Sequence, residues 1–291
     1  MMLLLALGCQ DQGFHEIQID ALAVVQGDFD NMGDVLVGMN IATQEYDGFI
    51  VQATYEPDDE RTERGYGAPT VEGLLTSTDD DGRLQIELFN AVFINSGTRG
   101  LGAFQYNNTL LEDDSLLLDT AALDNACSFV SGGGSLVVTD WAYEVVEYCW
   151  PDAVEFFGDD TVADAAQVGM PDEISADVLS KDLKDALGPA IGVTFDYSAW
   201  SVIESVGGDT EVLLDGGISY QPSAEELPVD APDTPLMVRF TEGRGQVIYS
   251  SFHLAAQGNA IADALLLGSV EGLERGDGEE TTTTDTGGDG A

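Results

Sequence analysis

At 291 residues, 44% hydrophobic and with 34 glycines and 9 prolines, the chain can form one large domain with a sizeable insertion and bury a core. Nine basic residues face 54 acidic ones, a formal net charge of −45, so its field repels phosphate and excludes nucleic acid and anionic lipid surfaces as partners. No stretch is long enough to span a bilayer, and two histidines without a CxxC pair offer neither a zinc nor a haem site, so no metal and no cofactor is expected.

The first ten residues, MMLLLALGCQ, run apolar into Ala6-Leu7-Gly8-Cys9 and resemble a bacterial lipoprotein signal, with small Gly8 directly before the cysteine. A positive leading segment is missing and the apolar run is short; a start codon further upstream would explain both. The other reading is an apolar N-terminus with an incidental cysteine. On the signal reading residues 1–9 are a signal remnant and Cys9 is lipidated. The mature protein is then exported to the cell envelope and meets the membrane only through that anchor. In an exported chain the remaining cysteines, Cys127 and Cys149, are a disulfide candidate, with buried free thiols as the alternative.

The first strand is predicted over Ile19–Gln26. Asp28, Asp30 and Asn31 then supply N-cap chemistry for a helix with Met32, Val35, Leu36 and Met39 on one face. Tyr46–Thr54 reads as the next strand, and the charged, Gly- and Pro-containing stretch 57–70 as a loop. Asp79-Asp80-Asp81-Gly82 has part of a calcium-loop pattern, but Glu87 falls one place short of the closing position counted from Ser77, so a turn at Asp81-Gly82 is the reading. Leu88–Asn95 is a continuous apolar run of the kind buried in parallel sheets. A helix over Ser115–Val130 ends on Gly132–Gly134, which precedes a strand and is therefore a C-cap turn and not a phosphate cradle.

The segment Gly132–Cys149 carries the most information. Leu136–Val138 is an apolar strand stopped at Thr139-Asp140-Trp141, and a helical run, Ala142–Cys149, follows at once. Strand, sharp turn and helix present one side chain at the carboxyl edge of a buried sheet, where α/β folds keep their sites. Ala153–Phe157 reads as a further short strand. Between 158 and 235, short runs punctuated by Asp, Gly and Pro predict an insertion of β-hairpins with one short helix over Ala176–Leu187. Leu236–Phe240 and Gln246–His253 form a hairpin around Glu242-Gly243-Arg244-Gly245, and a helix over Ala255–Leu267 closes the domain. The Thr- and Gly-rich tail, 276–291, has nothing to bury and is expected to be disordered.

This order of elements resembles the class I glutamine amidotransferase-like superfamily, in its degenerate branches that include the trehalose-utilisation-type proteins. Phe93-Ile94-Asn95-Ser96-Gly97 is similar to the strand and glycine loop that lends an oxyanion-hole amide. Gly132–Ala142 stands where that family has its nucleophile elbow. Gly243–His253 is similar to the hairpin that ends in the catalytic histidine. The likeness spans 17–270 and implies an α/β, flavodoxin-like three-layer sandwich with a mostly parallel sheet and a β-hairpin-rich insertion. It also implies the absence of glutamine hydrolysis, because Asp140-Trp141 replaces the cysteine and Leu254 replaces the start of the Pro-Glu continuation.

Asp140 has three readings: a cap for the helix at Ala142, a carboxylate nucleophile of the Asp-Trp type seen in haloalkane dehalogenases, or a cation ligand with Asp28 or Asp30. The nucleophile reading wants a small residue at Val138 and lacks an upstream oxyanion loop. His253 at a strand end is a general base or ligand, or else a histidine held by backbone in the core. Trp141, Trp150 and Trp200 read as packing residues, with Trp141 also a stacking surface if exposed. Gly97, Trp141 and Asp28 complete the candidate ligand-binding set. A von Willebrand-type metal-adhesion loop is set aside because Asp28-Phe29-Asp30-Asn31-Met32 lacks both serines. The sequence thus leads to an envelope-anchored binding or scaffold protein whose partner is an unknown small molecule or envelope protein. A hydrolase using Asp140 with His253 is the alternative.

Overall fold

The computed structural model describes residues 21–48, 68–101, 116, 120–158, 166–197, 200–223 and 225–270. Cys9 with the rest of the lipoprotein-like segment, most of the loop 57–70 and the tail 276–291 lie outside the described residues.

Five parallel strands form the heart of the sheet: β1 (Leu22–Val25), β2 (Gln44–Tyr46), β3 (Ala91–Ile94), β4 (Ser135–Thr139) and β12 (Gly245–Ser250), in the order β2-β1-β3-β4-β12. This is the flavodoxin-like 2-1-3-4-5 order. Every residue of β1, β3, β4 and β12 is buried because both faces of the sheet are covered, which is why these strands read as continuous apolar runs. Alternate side chains feed two cores. Ala23, Val25, Val92, Ile94, Leu136 and Val138 pack with α2 (Val71–Thr76), α3 (Thr120–Ser131) and α4 (Glu144–Cys149). Leu22, Val24, Ala91, Phe93, Val137 and Ile248 pack with α1 (Met32–Gly38) and α6 (Asn259–Val270) on the opposite face. The result is a three-layer α/β sandwich.

Local chemistry sets the element ends. Asn31 caps α1 by accepting the Asp34 N–H at 3.2 Å, and Thr70 caps α2 through the Gly73 N–H. The triple glycine closes α3: Gly132, Gly133 and Gly134 donate to Ser128, Val130 and Phe129 carbonyls, with Gly133 at φ +117°. Asp79 organises the Asp81-Gly82 turn by accepting the Asp81 and Arg83 N–H groups, both at 2.9 Å.

Between β4 and β12 the chain adds β5 (Val154–Phe156), β6 (Val168–Gly169), β7 (Glu173–Val178), α5 (Lys181–Leu187), β8 (Ala190–Thr194), β9 (Ile203–Val206), β10 (Glu211–Gln221) and β11 (Val229–Glu242). The hairpin-rich stretch does not form a separate layer. β11, β10, β7 and β8 continue the parallel sheet antiparallel to one another, and β6 pairs with β10, giving ten strands; β5 and β9 pair separately. One boundary needs correcting: residues 176–178 belong to β7, and the helix expected from Ala176 begins only at Lys181, after Ser180. Ala176 and Val178 alternate with exposed neighbours, a two-residue period that the sheet satisfies and a helix does not.

Candidate functional site

Four chain segments converge at the carboxyl edge of the parallel strands. β4 ends at Thr139, and Asp140 turns the chain with φ +43°, a left-handed conformation that a non-glycine residue adopts only where surrounding structure enforces it. Tyr249 of β12 helps by donating its hydroxyl to the Asp140 carbonyl at 3.1 Å. The turn directs the Asp140 carboxylate inward, and four donors occupy it. Oδ1 accepts the Ser201 N–H at 2.7 Å and the Ser201 hydroxyl at 3.2 Å; Oδ2 accepts the Ser96 hydroxyl at 3.0 Å and lies 3.0 Å from His253 Nε2. Asp140 is 0% exposed.

The capping role expected for Asp140 is therefore corrected. Neither the short 3₁₀ turn Asp140–Ala142 nor α4 has a side-chain cap, because all four carboxylate bonds go to other segments. The cation-ligand role with Asp28 or Asp30 is not what the geometry presents either. Asp30 accepts the N–H groups of Asn31, Leu254 and Ala255 at 2.8, 3.1 and 3.1 Å, so its carboxylate is a loop clamp. Among the described residues no group of three His, Cys, Asp or Glu side chains is arranged to hold a metal.

His253 follows β12 and is 3% exposed. Its ring is held by carboxylates and not by backbone: Nε2 faces Asp140, and Nδ1 lies 2.8 Å from Asp196 Oδ1. Tyr197 packs edge-on over the imidazole at 5.0 Å between centroids, and Phe29 packs on Tyr197 at 5.0 Å. Burial opposes a charge on this ring, but the hydrogen bonds to Asp140 and Asp196, with the charges of Asp140 and Asp30, outweigh it and carry its pKa up to about 10. Burial likewise pushes the Asp140 carboxyl above its usual range, against the pull of His253, Ser201 and Ser96. Both ring nitrogens are thus engaged by carboxyl groups, and four donors stand in for the water that Asp140 loses. A histidine engaged at both ring nitrogens has none free to take a proton from a substrate.

In sheets of this order ligands enter the crevice between the carboxyl ends of β1 and β3, where strand order reverses. Among the described residues, the loops after β1 and β3 are bonded directly to each other there. Asp28 N donates to Gly97 O at 3.2 Å, and Phe29 N and Asp30 N donate to Ser96 O at 3.1 and 3.4 Å. Gly97 sits at φ +82°, and a Cβ there would lie 2.8 Å from both Asp28 N and the Phe29 ring. Its glycine thus serves close packing of two loops. Ser96 N donates to Thr139 Oγ1 at 2.9 Å, which joins the β3 loop to β4. Trp141 is only 5% exposed and packs against Tyr143, so it offers no stacking surface.

The structure brings together Asp140 and His253, places Gly97 and Asp28 in the neighbouring loop closure, and turns Trp141 into the core. Sequence reasoning missed Asp196, Ser201 and Tyr249. Asp196 is one acidic residue among 54 and carries no local signature. Tyr249 alone had a signal, as a polar-tipped aromatic inside the apolar run before His253. On the other side of the elbow, Cys127 of α3 and Cys149 of α4 form a disulfide, as the sequence suggested.

No protein-family model matches the sequence, and no curated protein is similar to it. Solved structures similar to the chain include a ThuA-like protein from Bacteroides uniformis, 13% identical, covering 87% of this chain and 89% of that one with a TM-score of 0.45. A cytoplasmic protein from Salmonella typhimurium is 11% identical over 85% of this chain and 98% of that one, with a TM-score of 0.44. A glutamine amidotransferase from Thermotoga maritima is 9% identical over 88% and 84% of the two chains, with a TM-score of 0.40.

Proposed function

We propose that the chain is a non-catalytic binding or scaffold module with an amidotransferase-like architecture, held at the cell envelope through a lipidated Cys9. The observation that carries the non-catalytic reading is the setting of Asp140: sealed from solvent, occupied by four donors and joined to a histidine whose other ring nitrogen is held by Asp196. A carboxylate so occupied has no lone pair aimed at a substrate, and its histidine has no free site for a proton. The direct bonding between the loops after β1 and β3 supports the same reading. The Cys127–Cys149 disulfide favours an oxidising compartment and so supports export. The deciding experiment is a broad panel of esters, amides and organic halides assayed for turnover, with mass spectrometry of His253→Gln protein after incubation. The expected result is no turnover and no mass added at Asp140. A stable ester at Asp140 would replace this reading with that of a hydrolase.

The hydrolase reading has one specific observation in its favour. Asp140, His253 and Asp196 follow one another at 3.0 and 2.8 Å in the order nucleophile, base and orienting acid. It requires the Tyr197–Phe29 pair to leave the histidine and water to reach Asp140. Anchoring is tested separately, by metabolic palmitate labelling of the protein expressed in a bacterial host; an unlabelled product, with Cys9→Ser behaving identically, removes the anchor from the proposal.

A further inference from the structure

At the end of the sheet opposite Asp140 and His253, a cavity of about 510 Å³ opens between the α3–α4 pair and the turns that lead into β5, β10 and β12. Its floor is apolar: the Cys127–Cys149 disulfide, Trp150 and Phe240, the two rings meeting edge to face at 5.5 Å. Its walls carry three carboxylates, Asp152, Asp209 and Glu242, and among the described residues no lysine or arginine lines it. All three carboxylates are exposed, so they border the opening while the aromatic floor stays buried. The wall is built firmly. The Ala153 carbonyl accepts the Gly207 N–H at 2.9 Å and the Thr210 hydroxyl at 3.0 Å, and a Cβ on Gly207 would lie 2.2 Å from the Asp152 carbonyl oxygen.

From this juxtaposition we infer that the cavity binds a small aliphatic ammonium compound of the diamine or polyamine class. An apolar floor receives a methylene chain, and carboxylates at the mouth receive ammonium groups that remain partly hydrated. A concave wall of one sign over a low-dielectric floor focuses its field on the opening, which distinguishes these three carboxylates from the acidity spread over the rest of the surface. The volume lies within the range that small-ligand sites occupy. The inference rests on the reading of the chain as a binding module, and it names that module's ligand class.

The test is titration of the full disulfide-bonded protein with cadaverine at physiological salt, by calorimetry and tryptophan fluorescence, with pentanol as the uncharged analogue. Saturable one-to-one binding of cadaverine and none of pentanol is expected. Asp209→Asn with Glu242→Gln should weaken it at least tenfold, while Asp182→Asn with Glu225→Gln, which removes the same charge on the exposed surface elsewhere, should change it less than twofold. No saturable binding, equal weakening by both pairs, or equal binding of pentanol overturns the inference. Failure here leaves the non-catalytic reading of Asp140 untouched, because that reading is judged by turnover and adduct formation.

Discussion

Asp140 is the residue on which the interior depends. Removing its carboxylate leaves His253 half-paired and Ser96 and Ser201 without this acceptor, and breaking one side of a buried pair costs about 3–5 kcal/mol. Asp140→Ala is expected to show a loss of that size in urea unfolding. Asp140→Asn should lose less. The amide keeps an acceptor for Ser201 and can donate to a neutral His253 Nε2, so the histidine titration followed by NMR should move down from about 10. If Asn proves as damaging as Ala, shape and not charge pairing holds the site. Because the folded histidine titrates at about 10, above its ordinary 6.5, its contribution to stability is complete below 6.5 and fades as pH rises through 10. Unfolding midpoints measured between pH 7 and pH 10.5 should fall in wild type and stay flatter in His253→Gln. Asp140 and His253 were legible as candidates because a strand end beside a helix start is a recognisable position. Their partners Asp196 and Ser201 were not, because a loop aspartate or serine has no pattern until the loop is placed in space.

At the scale of elements, the disulfide and one glycine contact each clamp α3. Cys127 and Cys149 are separated by 22 positions, a loop for which chain-entropy arguments give roughly 3 kcal/mol. Reduction, or the Cys127→Ser and Cys149→Ser double variant, should lower the urea midpoint accordingly; an unchanged midpoint would mean that the helix contacts alone fix the pair. Gly245 begins β12 where a Cβ would meet the Val130 and Gly134 carbonyl oxygens at 2.1 Å, so Gly245→Ala should cost about 1–3 kcal/mol through forced backbone shifts. Strands β1, β3 and β4 could be read from the sequence because double-sided burial writes them as unbroken apolar runs. β8 reads from the sequence only as a hairpin strand, and the second half of β7 reads as helix. Alternating burial tells which face a residue takes, but not that the pair extends a sheet begun 150 positions earlier in the chain. Helix α5 was drawn too long for the same reason: Ala176 and Val178 are apolar in either period, and only pairing with β8 and β10 decides.

At the scale of the molecule, 54 acidic residues against nine basic ones give a chain whose surface repels itself. Screening that repulsion should stabilise the fold, so the thermal midpoint should rise as salt is added from low to physiological concentration, where the screening length is about 8 Å. A midpoint that falls over that range would show that the favourable pairs, such as Arg239 with Glu211 at 2.7 Å, outweigh the repulsion. The Asp140 cluster has a further consequence, in time. It joins residues 44, 61 and 113 positions away, so it cannot close until β3, the strands between β4 and β12, and β12 itself are in place. A cluster that needs all these elements docked is expected to close after the main folding barrier, which places Asp140 among the positions that govern unfolding more than folding. Replacing Asp140 should therefore accelerate unfolding in stopped-flow experiments while leaving the refolding rate almost unchanged. A position that elsewhere in α/β proteins speeds a reaction would, in this chain, slow the departure from the native state.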